Sequence, residues 1–242
     1  MTVICHNYIE VIQLCFFVFD FKPYIAIIGD IVDSKEIVNR NDVQNRLAVV
    51  LNQINVDYHD DISSNFMITL GDEFQGLLSR GQDIICIIQT IEAKMYPVQI
   101  RFGIGVGDIK TDINPNIPFG ADGTAYHDAR DMIEEIRTNT GKQKSSQCNI
   151  KISIDQFPEI EELTNAILAL CTALKEKWSK RQREIIFDYF EHGDSQVNAA
   201  KRLGITQSSI HKGFASANFY TYKNSMDIVS KMLDQIRGDT NA

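Results

Sequence analysis

The prolines divide this 242-residue chain into two parts. All five lie between Pro23 and Pro158, and the sequence after Pro158 has apolar residues at helical spacing throughout. Proline inside a helix removes a hydrogen bond and clashes with the preceding turn, so a long proline-free stretch with this pattern favours an all-α unit. We therefore predict an α+β part followed by a helical part, with the boundary near residue 156.

The first part alternates between strand and helix patterns. Residues 24–31 (YIAIIGDI) form a continuous apolar run that ends at Gly29-Asp30, which is typical of a strand buried on both faces. A helix capped by Ser34 is expected next, followed by a hairpin that turns at Gly71-Asp72. The full order is strand, helix, hairpin, helix, strand, helix, strand. Its antiparallel centre predicts an α+β sandwich of the ferredoxin-like (nucleotide cyclase-like) kind.

A strand expected over residues 98–106 carries an unusual set of glycines, Gly103, Gly105 and Gly107, in it or just after it. Glycines in a strand indicate close approach by another backbone or by a ligand. Both alternatives stay open at this point.

These patterns predict four segments. Residues 1–22 have neither a capping signal nor a clean amphipathic period, and we interpret them as an extension outside the fold. The alternative is an extra edge strand or a short helix. The other segments are the sandwich over 23–155, a connecting helix over 156–177, and a helix-turn-helix unit with a further C-terminal helix over 178–242.

Charge is distributed unevenly over these segments. The formal net charge is −8, from 24 Lys and Arg against 32 Asp and Glu. Residues 174–237 contain 11 basic and 7 acidic side chains, a net +4, which leaves −12 for the rest. Nucleic-acid binding needs clustered basic groups, so only the helical part fits such a partner.

Composition limits the compartment and the cofactors. The five cysteines are odd in number and form no CxxC or Cys/His cluster, which argues against a disulfide framework and a structural zinc site. No apolar run reaches the ~18 residues of a membrane span. We expect a cytoplasmic protein with no membrane association and no zinc or haem site.

The helical part predicts a helix-turn-helix. Ser179 can cap a helix over 180–190, Asp194 or Ser195 can cap a second helix with Val197, Ala200 and Leu203 facing inward, and Thr206 can cap a third. Gly204 permits the sharp turn between the second and third helices. The expected contacts with double-stranded DNA are Gln207, Ser208, Ser209, His211 and Lys212 for base edges or phosphates, and Arg181, Lys201 and Arg202 for phosphates. A three-helix unit that docks a protein is the alternative.

Two acidic residues of the first part are expected to meet. Asp30 ends the first strand and Asp72 lies in the hairpin turn, so a sheet that places these strands side by side brings both carboxylates to one end. Adjacent carboxylates repel unless a cation or proton shields them, which makes the pair a candidate site for Mg²⁺ or Mn²⁺ with a nucleotide. The alternative is that each Asp is an ordinary turn or capping residue.

Four segments, GDIVDS, TLGDEF, IRFGIGVGDI and DGTAYHDARDM, resemble the class III nucleotide cyclases in order and spacing. With the C-terminal helices, the chain from about residue 24 to 236 resembles the SatD family, whose members look like cyclase-type domains joined to a DNA-binding module. The resemblance implies metal binding by Asp30 and Asp72. It also implies nucleotide contacts, for which the candidates are Gly71, Glu73, Arg101, His127 and Arg130.

The chain differs from the cyclase pattern at the positions that select the base and stabilise the transition state in cyclases. The purine-selecting position is Ile68, the base-contacting aspartate falls at Gly120, and His127 stands where cyclases have an asparagine. The position of the catalytic arginine is Asp131, with Arg130 beside it. Cyclisation needs a cation at the transferring phosphate, so these changes favour a domain that binds without catalysis.

The hypothesis that follows is a cytoplasmic, homodimeric, DNA-binding transcriptional regulator with a non-catalytic nucleotide- or metal-binding sensor domain. The alternatives are an active Mg²⁺-dependent nucleotidyl cyclase or related transferase, and a protein-docking adaptor.

Overall fold

The computed structural model describes residues 18–139 and 148–238, and it shows a mixed α and β fold built on a five-stranded sheet. The strands along the chain are β1 (Val18–Phe19), β2 (Tyr24–Ile31), β3 (Ile62–Leu70), β4 (Glu73–Leu78), β5 (Ile100–Gly107), β6 (Ile150–Ile154) and β7 (Arg237–Gly238). The large sheet has the order β3-β4-β2-β5-β6. Its first four strands pair antiparallel, and β6 joins β5 in parallel. The order of these five strands along the chain and the antiparallel centre of the sheet are as predicted.

Eight α-helices accompany the sheet in the described residues. They are α1 (Arg40–Asp57), α2 (Ile84–Met95), α3 (Thr124–Asn139), α4 (Pro158–Glu176), α5 (Lys180–His192), α6 (Gln196–Leu203), α7 (Gln207–Ser216) and α8 (Phe219–Leu233). Alternate residues of β2 face two sides: Ile25 and Ile27 share a core with α1 and α2, whereas Ala26 and Ile28 pack with α3. The central strand is therefore buried on both faces, as predicted.

The glycines of β5 let α3 lie directly on the sheet. A Cβ at Gly103 would be 2.1 Å from the carbonyl oxygen of Ala129, and one at Gly105 would be 2.1 Å from that of Ala125. No side chain fits in that space. Of the two predicted alternatives, close approach by another backbone is the correct one.

The N-terminal prediction is wrong for residues 18–22. Val18–Phe19 pairs in parallel with Arg237–Gly238, and Phe19 is fully buried against Phe157, with ring centroids 5.2 Å apart. Asp20 also accepts a hydrogen bond of 2.7 Å from Gln156. This stretch belongs to the fold as an extra strand, but it pairs with β7 in a separate two-stranded sheet and not at an edge of the large one. Burying Phe19 offsets the cost of ordering it. Residues 1–17 lie outside the described residues.

The helix caps predicted in the C-terminal part are present, whereas the cap predicted at Ser34 is not. Ser179, Ser195 and Thr206 each accept a hydrogen bond from the backbone N–H three residues on, and so begin α5, α6 and α7. Ser34 instead lies in a 3-10 turn, and α1 begins only at Arg40. The hydroxyl of Ser34 donates to Asp72 and so does not cap a helix.

The inward face of α6 also differs from the prediction. Val197 is 47% exposed, whereas Ala199 and Ala200 are buried. The small alanine side chains allow α6 to approach its neighbours closely, and Gly204 then turns the chain into α7 with φ +64°.

One cluster of buried side chains joins the sheet to the C-terminal helices, from Phe102 in β5 to Phe214 in α7. Trp178, between α4 and α5, donates a hydrogen bond of 2.8 Å from its indole N–H to the carbonyl of Ala217. Within the described ranges, no helix combines the length and apolarity that crossing a bilayer requires.

Candidate functional site

Asp30 is the most buried carboxylate at the end of the sheet, with 3% of its side chain exposed. Arg101, its register partner on β5, donates to Oδ2 at 3.0 Å. Arg137 on α3 donates to Oδ1 at 2.8 Å and to Oδ2 at 3.2 Å. Two guanidinium groups thus bind one carboxylate, and hydrogen bonding to Asp30 raises the pKa of Arg137.

Asp72 lies at the same end of the sheet, as predicted. The backbone N–H of Ile31 donates to the carbonyl of Asp72 at 3.2 Å, which joins the hairpin turn to the end of β2. Its carboxylate accepts the Ser34 hydroxyl and lies 4.0 Å from the guanidinium of Arg40. Each of the two aspartates therefore has its own partners in this structure.

This arrangement does not fit the predicted metal pair. Both oxygens of Asp30 are occupied by arginine N–H groups, which repel a cation. In the part of the chain that the structure describes, no group of three or more His, Cys, Asp or Glu side chains could hold a metal ion. Arg101 and Arg137 supply positive charge at the carboxylate that was predicted to bind Mg²⁺ or Mn²⁺.

A cavity of about 190 Å³ lies beside this cluster, between β4, the start of α3 and the loop that precedes α3. Three predicted nucleotide contacts, Glu73, His127 and Arg130, line it together. His127 and Arg130 are three residues apart and share a face of α3. The other two predicted contacts, Gly71 and Arg101, do not line it, and neither does Asp30 or Asp72.

Tyr126 lines the same cavity, and its hydroxyl has no hydrogen-bond partner within residues 18–139 and 148–238. The residue is 5% exposed, and its buried hydroxyl oxygen makes no hydrogen bond with the described residues. Burial raises the pKa of Tyr126, so the hydroxyl remains protonated and available as a donor. Leaving such a group unpaired costs about 1–3 kcal/mol, which a ligand with an acceptor atom would recover.

The charged side chains that line the cavity are Glu73, Asp122 and Arg130, with His127 beside them. Burial is the main cause that raises the pKa of Glu73, and the nearby arginines, Arg130 first, oppose that rise. His127 contacts Asp122 at 2.8 Å, and both are exposed at the rim. The buried amide of Gln75 donates to the carbonyl of Pro118 at 2.8 Å, which fixes the loop over the cavity.

Three residues at this end of the sheet were not predicted from the sequence: Arg137, Tyr126 and Gln75. Tyr126 carried a usable signal, since a tyrosine on the apolar face of an amphipathic helix must find a polar partner for its hydroxyl. Nothing local marks Arg137, because its partner Asp30 is 107 residues away.

A larger cavity of about 320 Å³ lies between α2, α4 and α5. Its polar groups satisfy one another, since Asn149 donates to Glu92 at 2.5 Å and accepts from Lys175 at 3.1 Å. None of the predicted site residues lines it. The smaller cavity is the better candidate because it contains an unpartnered polar group.

The predicted DNA contacts fall into two groups. The five residues of the first helical turns of α7 are all exposed: Gln207, Ser208, Ser209, His211 and Lys212. Among the predicted phosphate contacts, Lys201 is exposed, whereas Arg181 pairs with Glu184 at 2.7 Å. Arg202 is held by both Asp188 and Asp194, at 2.7 and 2.8 Å, and it joins α5 to α6. Lys201 and Lys212 are therefore the better placed of the basic residues to meet a phosphate.

Comparison with protein families decides the classification. The family model described as the SatD family matches residues 24–233. The chain belongs to the SatD family. No curated protein matches this SatD-family chain.

Among solved structures, this SatD-family chain resembles a bacterial light-regulated adenylyl cyclase, with 14% identity and a TM-score of 0.36, over 54% of this chain and 75% of the cyclase. A second structure of a bacterial light-regulated adenylyl cyclase has 15% identity and a TM-score of 0.36, and the match spans 54% of this chain and 43% of that one. The guanylyl cyclase Cya2 has 13% identity and a TM-score of 0.28, over 48% and 69%. Similarity at this level carries no argument about activity.

Proposed function

We propose that this SatD-family chain is a DNA-binding transcriptional regulator whose cyclase-like domain binds a small nucleotide-type ligand without converting it. The observation that carries the proposal is the exposed polar surface at the N-terminal end of α7, which follows a capped α6 and a glycine turn. The cavity at Tyr126 supports the ligand-binding part. A cytoplasmic location and a homodimer complete the proposal.

The α6–α7 pair supports DNA binding by its geometry. Ile210 and Phe214 of α7 are buried, so they fix which side of the helix faces outward. That outward side carries Gln207, His211 and Lys212, whose side chains suit base edges and phosphates. A helix presented in this way, after a short glycine turn, is the arrangement that enters a major groove.

Salt-dependent binding to duplex DNA tests this part. The probe is a labelled duplex of mixed sequence, and its fluorescence anisotropy is measured at several salt concentrations with the full chain. Lys212→Ala should weaken binding and reduce the slope of log affinity against log salt by about 1, because one phosphate contact is lost. Lys201→Ala should act similarly.

Lys110→Ala is the matched control, since Lys110 is also an exposed lysine but lies outside the C-terminal helices. It should leave the affinity and the slope unchanged. Absence of binding by the unmodified chain at low salt would overturn the DNA-binding part and favour a protein-docking role.

The cavity at Tyr126 supports a ligand with a ring and an anionic group. About 190 Å³ is below the size of a site that encloses a drug-sized molecule, so the cavity would hold one ring with the rest of the ligand in solvent. The Tyr126 hydroxyl and Glu73 would contact the ring, and Arg130 would pair with a phosphate. Any such ligand would regulate DNA binding only by preferring one arrangement of the C-terminal helices.

Equilibrium binding of a panel of nucleoside mono-, di- and triphosphates tests the ligand part. Tyr126→Phe should weaken binding, and it should stabilise the ligand-free protein by about 1 kcal/mol, because an unpaired buried hydroxyl is removed. Tyr222→Phe is the control: Tyr222 is equally buried, but its hydroxyl has Gln89 as a partner, so this variant should lose stability.

A cyclic or oligonucleotide product, formed with Mg²⁺ or Mn²⁺ and abolished by Asp72→Ala, would overturn the non-catalytic part. Unchanged nucleotide affinity in Tyr126→Phe would overturn the assignment of the ligand to this cavity.

A further inference from the structure

The outer face of α4 carries a seam of six exposed residues, which we call the α4 seam. It consists of Glu159, Leu163, Ala166, Leu170, Ala173 and Lys177. The spacing between successive members alternates between four and three residues, so they form one stripe along the helix. Leu163 and Leu170 are 61% and 68% exposed, although the opposite face of α4 is buried against β6 and α8.

We propose that the α4 seam binds the α4 seam of a second copy of this chain, with the two helices antiparallel. A two-fold axis that places Leu163 opposite Ala173 of the partner also places Ala166 opposite Leu170. Each large side chain then meets a small one, which permits close approach of the two helices.

The charges at the two ends fit the same pairing. In this register Glu159 at the start of α4 lies opposite Lys177 at the end of the partner's α4, and the pair occurs twice. Neither residue has an ion-pair partner among the described residues, so both are available. A parallel pair would instead oppose Glu159 with Glu159 and Lys177 with Lys177, which is repulsive.

The length of the helix indicates a modest affinity. Nineteen residues at 1.5 Å each make α4 about 28 Å long, so one helix pair forms an interface near the small end of the range for specific complexes. Association should therefore depend on protein concentration. The inference rests on the proposed homodimer, for which it identifies the interface, and it requires neither DNA nor ligand binding.

Sedimentation of the full chain at several concentrations, without DNA or nucleotide, tests the proposal. The unmodified chain should pass from monomer to dimer. Glu159→Lys and Lys177→Glu should each raise the dissociation constant roughly tenfold, because two attractive pairs become two repulsive ones. The double variant Glu159→Lys/Lys177→Glu should restore the original value, since the opposite charges meet again.

Leu170→Asp should abolish the dimer, because it places an unpaired charge twice in an apolar seam. Val49→Asp on α1 is the matched control, since Val49 is also 68% exposed, and it should not alter the mass. Circular dichroism would establish that each variant remains folded. A monomer at every concentration, or a dimer unaffected by Leu170→Asp and both single charge changes, would overturn the proposal.

Discussion

Asp128 shows how burial and like charge act on a single residue of α3. Desolvation raises the pKa of its carboxyl to about 6, and Asp155, Asp131 and Glu161 contribute in the same direction. The unfolded chain has the ordinary value of 3.8. Folding therefore favours the protonated acid, and the stability that this provides is lost as pH rises from about 4 to about 6.

Asp128→Asn should raise the free energy of unfolding at pH 7 by about 1 kcal/mol, a value reduced for solvent screening because the group is partly exposed. Below about pH 4 the variant and the original chain should be equally stable, because both groups are then neutral. Urea unfolding at several pH values measures this. Asp112→Asn, at an exposed loop position, is the control and should follow the original curve. A difference between Asp128→Asn and the original chain that does not change with pH would contradict the prediction.

The residues of the candidate site were only partly predictable. Asp30 and Asp72 could be placed at one end of the sheet, because a strand end and the turn of its neighbouring hairpin must be close. The partners of Asp30 could not be predicted, because Arg101 and Arg137 are 71 and 107 residues away in the sequence. Whether a buried carboxylate binds a metal or a guanidinium depends on which side chains, distant in the sequence, pack beside it in the fold.

At the scale of elements, the contact between β5 and α3 depends on glycine. Gly105→Ala should destabilise the protein by about 3 kcal/mol or more, because its Cβ would be 2.1 Å from a backbone oxygen that cannot move alone. Thermal or urea unfolding measures the loss.

Gly193→Ala provides the comparison for that substitution. Gly193 ends α5 with φ +60°, and a Cβ added there would have no atom within 4 Å. The alanine variant should therefore lose only about 1 kcal/mol of stability, the cost of the left-handed conformation. If the two alanine variants lost equal stability, close packing would not be the reason for the glycine at position 105.

Local patterns were reliable for elements whose signals are local. The strand over 24–31 and the caps at Ser179 and Thr206 were predicted correctly, because apolar runs and capping depend on residues within one turn. Ser34 was interpreted wrongly because its hydroxyl bonds to Asp72, 38 residues away, which no local pattern reveals. Val197 was placed inward because helical spacing alone does not show which neighbours cover a short helix.

At the scale of the whole molecule, the sheet and the C-terminal helices share one core, so we expect them to unfold together. Trp178, the single tryptophan, is 5% exposed and stacks edge-on against Tyr222 at 4.8 Å. Trp178→Ala should cost about 3–5 kcal/mol and lower the midpoint of the whole transition.

Far-ultraviolet circular dichroism measures the unfolding midpoint of the unmodified chain and of Trp178→Ala. Tryptophan fluorescence provides a second probe of unfolding for the unmodified chain. The two probes should give coincident transitions. A helical transition that precedes unfolding of the sheet would show that the two parts are independently stable, and it would contradict the prediction.

The amino-acid sequence alone determined the order of strands and helices, the capped starts of α5 and α7, and the separation of an acidic body from a basic tail. These depend on neighbours in the chain and on composition. Only the tertiary structure decided that arginines bind Asp30, that the hydroxyl of Tyr126 has no partner among the described residues, and that α4 exposes an apolar seam. Each of these features depends on contacts between residues that are far apart in the sequence. Only the packing of the helices and strands determines which of those residues meet.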